Sequence, residues 1–549
     1  MAAELAKKTP QVVLLSFPAE LLSGITDLVD DVDLYPLSQT CRILHHIALH
    51  ALFNRCCKAV FTRTLIVKDP PPFILPALHS ALFIEDVRRI GIVFPADVQG
   101  FYTQARVLTQ LINRLPWNDV LDINLALVGK ALRDTDAYID PEELTSVLQY
   151  LMDAALKKGC THLHIRSNPW LSSLYSGRGL GILKKNSHRV SAFVKQLGGV
   201  FSGKNSGRSV MNGSKGVEND SSPSPPTTPS VKNVMNGGYV TIATDLLLEP
   251  FFLDWTLNLL NHSGITKLCF TTKHFKPKAL QQFLPKIYIP RLEWLTLNAH
   301  EHDFQLEDVA QFLQRHSTTL FTVAFATDTE YISPGPKPSS PLYLDLPKLF
   351  ILELSSYYVP WFLETLMANP TKAIPPILSE ILITASPPSA GAPTLNQTFK
   401  SFAEFTQLGA ATVGQVYPLW ASRLTLDAKR LCPSQFVNWL ARFPKRRSGI
   451  AGLDSISSVT TFPSIREFHL EIKCHKMTPV LEEKLYKALG VFLALFPNLS
   501  RFRLRSAGLG KPSDKCLQSL KGKCLKLRTV RVNSDEASLN ARHVTVRER

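Results

Sequence analysis

The stretch IPRLEWLTL, residues 289–297, decides the fold. Pro290 stands two residues ahead of Leu292, and Leu295 and Leu297 then alternate with Trp294 and Thr296. Alternation of apolar side chains is the period of a strand with one buried face. The phrase returns as LPKLFILEL (346–354), FPSIREFHLEI (462–472) and FPNLSRFRLR (496–505). Looser copies are THLHI (161–165), ITKLCFT (265–271), LFTVAFA (320–326), EILIT (380–384), SRLTL (422–426) and LRTVRV (527–532).

Between these strands lie segments whose apolar residues recur at three and four, the mark of a helix with one face to a core. They include 141–159, 306–316, 359–369, 433–443 and 479–496. Strands recur at roughly 25 to 45 residues, a spacing typical of stacked repeats. One strand and one helix per unit predict an α/β fold, a parallel sheet lined on one side by helices. No unit buries its apolar face alone, so neighbour contacts hold the array together. A doubly wound sheet is the structural rival, but ten or so units exceed what an open sheet usually carries.

Composition agrees with a folded chain: 45% of the 549 residues are hydrophobic and 19% charged. That excludes disorder for the chain as a whole. The nine cysteines follow no framework spacing, which predicts free thiols and a cytoplasmic or nuclear setting. The apolar run after Lys7 and Lys8 is shorter than a signal core, and Glu249, Pro250 and Asp254 interrupt the richest apolar segment, 246–260. No secretory leader or membrane span is therefore expected.

The formal charge of +16 is unevenly placed. Residues 1–50 carry three basic against six acidic side chains, and residues 501–549 carry thirteen against four. Arg501, Arg503 and Arg505 are the candidate contacts for an acidic or phosphorylated partner. The organisation predicted is a helical block at 12–56, an α/β solenoid over 60–201 and 239–535, and a basic tail at 536–549. A Ser/Pro/Gly-rich segment at 202–238 separates the two solenoid parts and is expected to be disordered. In it Ser222, Ser224 and Thr228 each precede a proline and are candidate phosphorylation sites.

The block FPAELLSGITDLVDDVDLYPLSQTCRILHHIALHALF (17–53) carries no evident chemistry. Pro18 suits a first helical turn, and Leu21, Leu22, Ile25 and Leu28 follow at helical spacing. Asp33 is read as the cap of a second helix with Pro36 in its first turn, and a third helix runs from Ser38. Three short helices make a poor core, so the block either packs on the solenoid or leaves apolar surface for a partner.

Here the residues resemble a family. Pro18, Glu20, Leu21, Leu22, Ile25, Leu34, Leu37, Ser38, Cys41, Arg42, Ile47 and Ala48 stand in the order of the F-box pattern, with departures at Phe17 and Leu44. The repeat phrase resembles the leucine-rich repeat, although the asparagine after the strand is mostly missing and unit lengths vary. The two together resemble the F-box/leucine-rich-repeat family. The resemblance implies a block that docks a Skp adaptor through Pro18, Leu21, Leu22, Ile25, Leu28, Leu34, Leu37, Cys41 and Ile47. It further implies a solenoid that captures a protein substrate for a cullin–RING ubiquitin ligase, with no catalysis in this chain.

Sharper chemistry finds little support. His46 and His50 have i, i+4 spacing but no further ligand set, and Cys56–Cys57 is adjacent, not C-x-x-C. His162 and His164 share a strand face. SGRGLGILKK (176–185) lacks the Gly-Lys-Ser/Thr ending of a phosphate loop. No cofactor and no metal are expected. The alternative function is a binding scaffold outside ubiquitination, with KRR (445–447) and RFRLR (501–505) as a nucleic-acid footprint, though no RNA-binding module signature accompanies them.

Overall fold

The computed structural model describes residues 17–547, leaving out 58–62, 69–70, 82, 96–97, 126–140, 167–237, 263, 272–278, 299–304, 327–341, 369–373, 388–393, 415, 418, 444–460, 475–476, 507, 510–513, 534 and 540–543. The expected disordered segment up to 237, its three phosphorylation candidates, the glycine-rich 176–185 and the KRR run lie outside the described residues.

The chain divides into two compact units. The first begins with three helices, α1 (Ala19–Thr26), α2 (Asp31–Ser38) and α3 (Arg42–Cys56). It continues through β1 (Thr64–Lys68), α4 (Ile74–Ser80), β2 (Arg89–Val93), α5 (Val98–Arg114), β3 (Val120–Asn124), α6 (Pro141–Lys157) and β4 (His162–Arg166), and includes α7 (Pro250–His262). Strands β1 to β4 pair in chain order, all parallel.

The second unit contains β5 (Tyr239–Ala243) and everything from β6 (Lys267–Thr271) onward. There follow α8 (Ala279–Phe283), β7 (Trp294–Asn298), α9 (Leu306–Arg315), β8 (Thr322–Ala326), β9 (Ile351–Ser355), α10 (Val359–Met367) and β10 (Glu380–Thr384). Next come α11 (Leu395–Thr412), β11 (Arg423–Asp427), α12 (Pro433–Arg442), β12 (Glu467–Glu471), α13 (Pro479–Leu493) and β13 (Arg501–Arg505). The unit ends with α14 (Asp514–Lys523), β14 (Thr529–Val532), β15 (Asp535–Leu539) and β16 (Val544–Arg547). Strands β5 to β14 are parallel and sequential, the α/β arrangement of a solenoid. Among the described strands, neither unit shows the reversal of strand order that marks a doubly wound sheet.

The register explains why one phrase can repeat. Each parallel pair is unstaggered, so Leu268, Leu295, Val323, Leu352, Ile381, Leu424, Phe468 and Phe502 form one row across β6 to β13. The second and fourth residues of the strands are buried, and the first, third and fifth face the other side of the sheet. Proline has a local task at each full copy of the phrase. The N–H groups of Leu292, Leu349, Ile465 and Leu499 donate to the carbonyls of Ile289, Leu346, Phe462 and Phe496 at 3.1–3.3 Å. Each is a four-residue turn with proline second, where its fixed φ is already suited, and both end residues are buried.

The core is unusually aromatic where α11 to α13 meet the sheet. Phe399 touches Trp439, Phe443, Phe462 and Phe492 with ring centroids 5.2–6.0 Å apart. Phe496 stacks on Phe462 and Phe468, and Phe468 stacks on Phe502.

One expectation is corrected. Residues 536–549 are not simply a basic tail, because β15 pairs antiparallel with β14 and β16 with β15. Helix α11 begins at Leu395, where Thr394 and Gln397 form a reciprocal capping box.

Candidate functional site

The first candidate surface is the outward side of α1 to α3. Helix α1 starts directly after Pro18, whose carbonyl accepts from the N–H groups of Leu21 and Leu22 at 3.1 Å. Both α1 and α2 pack on α3. Leu22, Leu34, Leu44, Ala48, Leu49, Leu52 and Phe53 are buried, and Thr26 and Ser38 satisfy their buried hydroxyls on the carbonyls of Ser23 and Tyr35. On the outside stand Leu21 at 56% exposure, Ile25 at 40%, Leu28 at 87%, Val32 at 59% and Ile43 at 49%. Five large apolar side chains thus stand in solvent within 23 residues.

This divides the residues read from sequence. Leu21, Ile25 and Leu28 are exposed, as is Pro18, and Leu37, Cys41 and Ile47 are half-buried. Leu22 and Leu34, at 2% and 0% exposure, belong to the block's own interior and offer a partner no surface. The helical period explains the split within α1, since residues 21 and 25 share a face that 22 and 26 do not. Leu28 also lies beyond the last turn of α1. The second helix begins earlier than expected: Asp30 occupies its cap, Asp33 is its third residue, and Pro36 sits inside it.

Arg55 was not singled out from sequence. Its guanidinium donates to the carbonyls of Val29 (2.8 Å), Asp27 (2.8 Å) and Thr26 (3.1 Å) and to Asp31 Oδ1 (2.9 Å). It thereby closes the orphan carbonyls at the end of α1 and ties α3 to the acidic start of α2. No local pattern announces it, because its partners lie 24 to 29 residues away.

The histidines of α3 serve packing. His46 and His50 stack with centroids 5.9 Å apart, and His46 lies 4.8 Å from the Phe83 ring. Burial, and then the charge of His46, lower the His50 pKa. Burial and the Asp31 carboxylate push the Cys56 thiol up to about 11, and burial pushes Cys57 to about 12. Neither is a ready thiolate near neutrality. Among the described residues no group of three or more potential ligand side chains gathers as a metal site. No described helix is long and apolar enough to cross a membrane.

The open faces of the sheets are the second kind of surface. In the first unit His162 and His164 do share that face. Arg166 Nη2 lies 3.0 Å from Asp122 Oδ2, and His164 Nδ1 lies 3.6 Å from Asp122 Oδ1. Burial raises the Asp122 pKa, but the His164 hydrogen bond and the charges of His164, Arg166 and Arg89 outweigh it and lower the net value.

In the second unit the open face of β10 to β14 is a lattice of charge. Its first row alternates in sign through the register partners Glu380, Arg423, Glu467 and Arg501. Arg423 bridges Glu380 (3.4 Å) and Glu467 (3.1 Å), and Arg501 reaches Glu467 at 2.8 Å. In the last row Lys429 contacts Asp427 at 3.5 Å and also pairs with Glu471, and Arg505 lies 3.7 Å from Glu471. The Lys429 hydrogen bond, opposed by burial, lowers the Glu471 pKa.

The middle row is different. Glu353 and Leu382 are followed by Thr425, His469, Arg503 and Arg531. Burial and repulsion from Asp427 and Glu380 raise the Glu353 pKa. Burial and the charges of Arg423 and Arg503 lower that of His469. Arg501, Arg503 and Arg505 thus share one face, but the outer two are engaged by carboxylates, while Arg503 makes no hydrogen bond or ion pair with a described residue.

In comparisons with known proteins, no protein-family model matches this chain and no curated protein matches its sequence.

Proposed function

We propose that this chain is the substrate-recognition subunit of a Skp–cullin–F-box ubiquitin ligase. Residues 12–56 act as the F-box and dock the adaptor, and the leucine-rich-repeat-like sheets capture a protein substrate on their open faces. The observation that carries the reading is the exposure of Leu21, Ile25, Leu28, Val32 and Ile43 on a three-helix block whose own interior is already closed by Leu22, Leu34 and Leu44. A partner burying such side chains gains about 25 cal/mol per Å² of apolar surface removed from water. The ordered F-box residues of the opening block support the same assignment. In this reading the chain performs no chemistry, and the ligase's other subunits supply the ubiquitin-charged enzyme.

Co-purification of the full chain with adaptor and cullin is the test. The double variant Leu21→Ala/Ile25→Ala is expected to lose both partners while melting like the wild type. Recovery of neither partner with the wild type refutes the assignment. Salt-sensitive nucleic-acid binding without adaptor would favour the scaffold alternative.

A further inference from the structure

At the β12–β14 end of the middle row, Arg503 makes no hydrogen bond or ion pair with a described residue. Arg503 and Arg531 are register partners on β13 and β14, and His469 is the partner of Arg503 on β12. Adjacent strands lie about 4.8 Å apart, so the two guanidinium stems stand side by side. The Nε of Arg531 is buried and has no hydrogen-bond partner. A buried N–H left unpaired loses its hydration without recompense, so such a donor points to a missing acceptor.

The charge balance agrees. On the open face of β12 to β14 the described side chains set Arg501, Arg503, Arg505 and Arg531 against Glu467 and Glu471. Both carboxylates are already engaged, by Arg423, Arg501, Lys429 and Arg505. The positive excess is concentrated at Arg503 and Arg531. A phosphate monoester carries close to two negative charges and three acceptor oxygens, enough to engage two adjacent guanidinium groups at once. A single carboxylate offers two oxygens and one charge.

We propose that Arg503 and Arg531, with His469 beside them, bind the phosphate of a phosphoserine or phosphothreonine in an extended segment of the captured protein. This deepens the substrate-capture reading above and rests on it. The occupant is an exogenous phosphopeptide; the intrachain competitor is Glu536, which the register sets opposite Arg531 on β15.

The test uses the full chain and an array of degenerate peptides in three matched forms: phosphorylated, unphosphorylated, and with glutamate at the phosphosite. Wild type should retain the phosphorylated form at least tenfold better than the other two. Arg503→Gln and Arg503→Gln/Arg531→Gln should abolish that preference with an unchanged melting curve, whereas Arg501→Gln should change it less than twofold. Leu21→Ala/Ile25→Ala should keep phosphopeptide binding while losing the adaptor, so failure of the phosphate site and failure of the ligase assignment are read separately. Equal retention of the glutamate form, a preference untouched by the double arginine variant, or single-stranded RNA binding lost in the same variants would each overturn the proposal.

Discussion

The Arg55 guanidinium on α3 sits 2.9 Å from the Asp31 carboxylate that opens α2 and hydrogen-bonds the carbonyls that close α1. One side chain thus ties all three helices, which individually are too short to stand alone in water. Arg55→Ala is expected to destabilise this block by about 2 kcal/mol, the scale of a few partly exposed charge-assisted bonds. Lysine should not rescue it, because a single ammonium cannot reproduce the fork. Asp31→Asn should cost less, since the three carbonyl contacts remain. Hydrogen-exchange protection of the α1 amides measures the series.

Leu21 and Leu22 are neighbours in sequence and opposites in role. Leu22→Ala empties a buried site and is expected to cost about 2–4 kcal/mol in chemical denaturation. Leu21→Ala, at a largely exposed position, should fall within about 0.5 kcal/mol. In adaptor binding Leu21→Ala should weaken the complex without any loss of fold.

Gly409 lies under the Trp420 ring, whose atoms stand 1.8–2.4 Å from where a β-carbon would be. Trp420 cannot retreat easily, being buried with its Nε1 donating to Pro375 O at 2.8 Å. Alanine for glycine in a helix ordinarily gains about 0.5–1 kcal/mol. Here the sign reverses, and Gly409→Ala should lose about 2 kcal/mol by overpacking. Denaturant melts followed by tryptophan fluorescence give the number.

His316 is buried with both ring nitrogens engaged, Nδ1 at 2.8 Å from Phe312 O and Nε2 accepting the Ile289 N–H at 2.9 Å. Only the neutral ring can do both, and burial accordingly lowers its pKa. The unfolded chain, with a histidine pKa near about 6.5, takes up the proton first, so stability from this group is full above that pH and falls as pH drops toward the folded value. His316→Gln should flatten the slope of melting temperature between about pH 5 and 7 relative to wild type.

Much of the second unit was legible. The proline phrase identified β7, β9, β12 and β13, because each copy joins a turn residue to a two-residue alternation and both signals are local. Strands β1 to β3 and β5 have the alternation without the proline and were not singled out, and α5, α7, α11 and α14 were passed over between clearer neighbours. The three N-terminal helices are legible from Pro18 and the apolar spacing, but the cap of α2 lies three residues before the expected Asp33, because several aspartates compete for one cap.

By itself the sequence determined period and kind: strand, helix, turn, and an acidic start set against a basic end. Those are written in runs of a few residues, where sterics and burial act locally. Tertiary structure alone decided that Leu22 is core and Leu21 is surface, and that Glu467 and Glu471 form ion pairs with Arg501 and Arg505 while the charge of Arg503 reaches Glu471 only from farther away. Partners 34 residues apart in the chain become neighbours only when unstaggered strands are laid side by side.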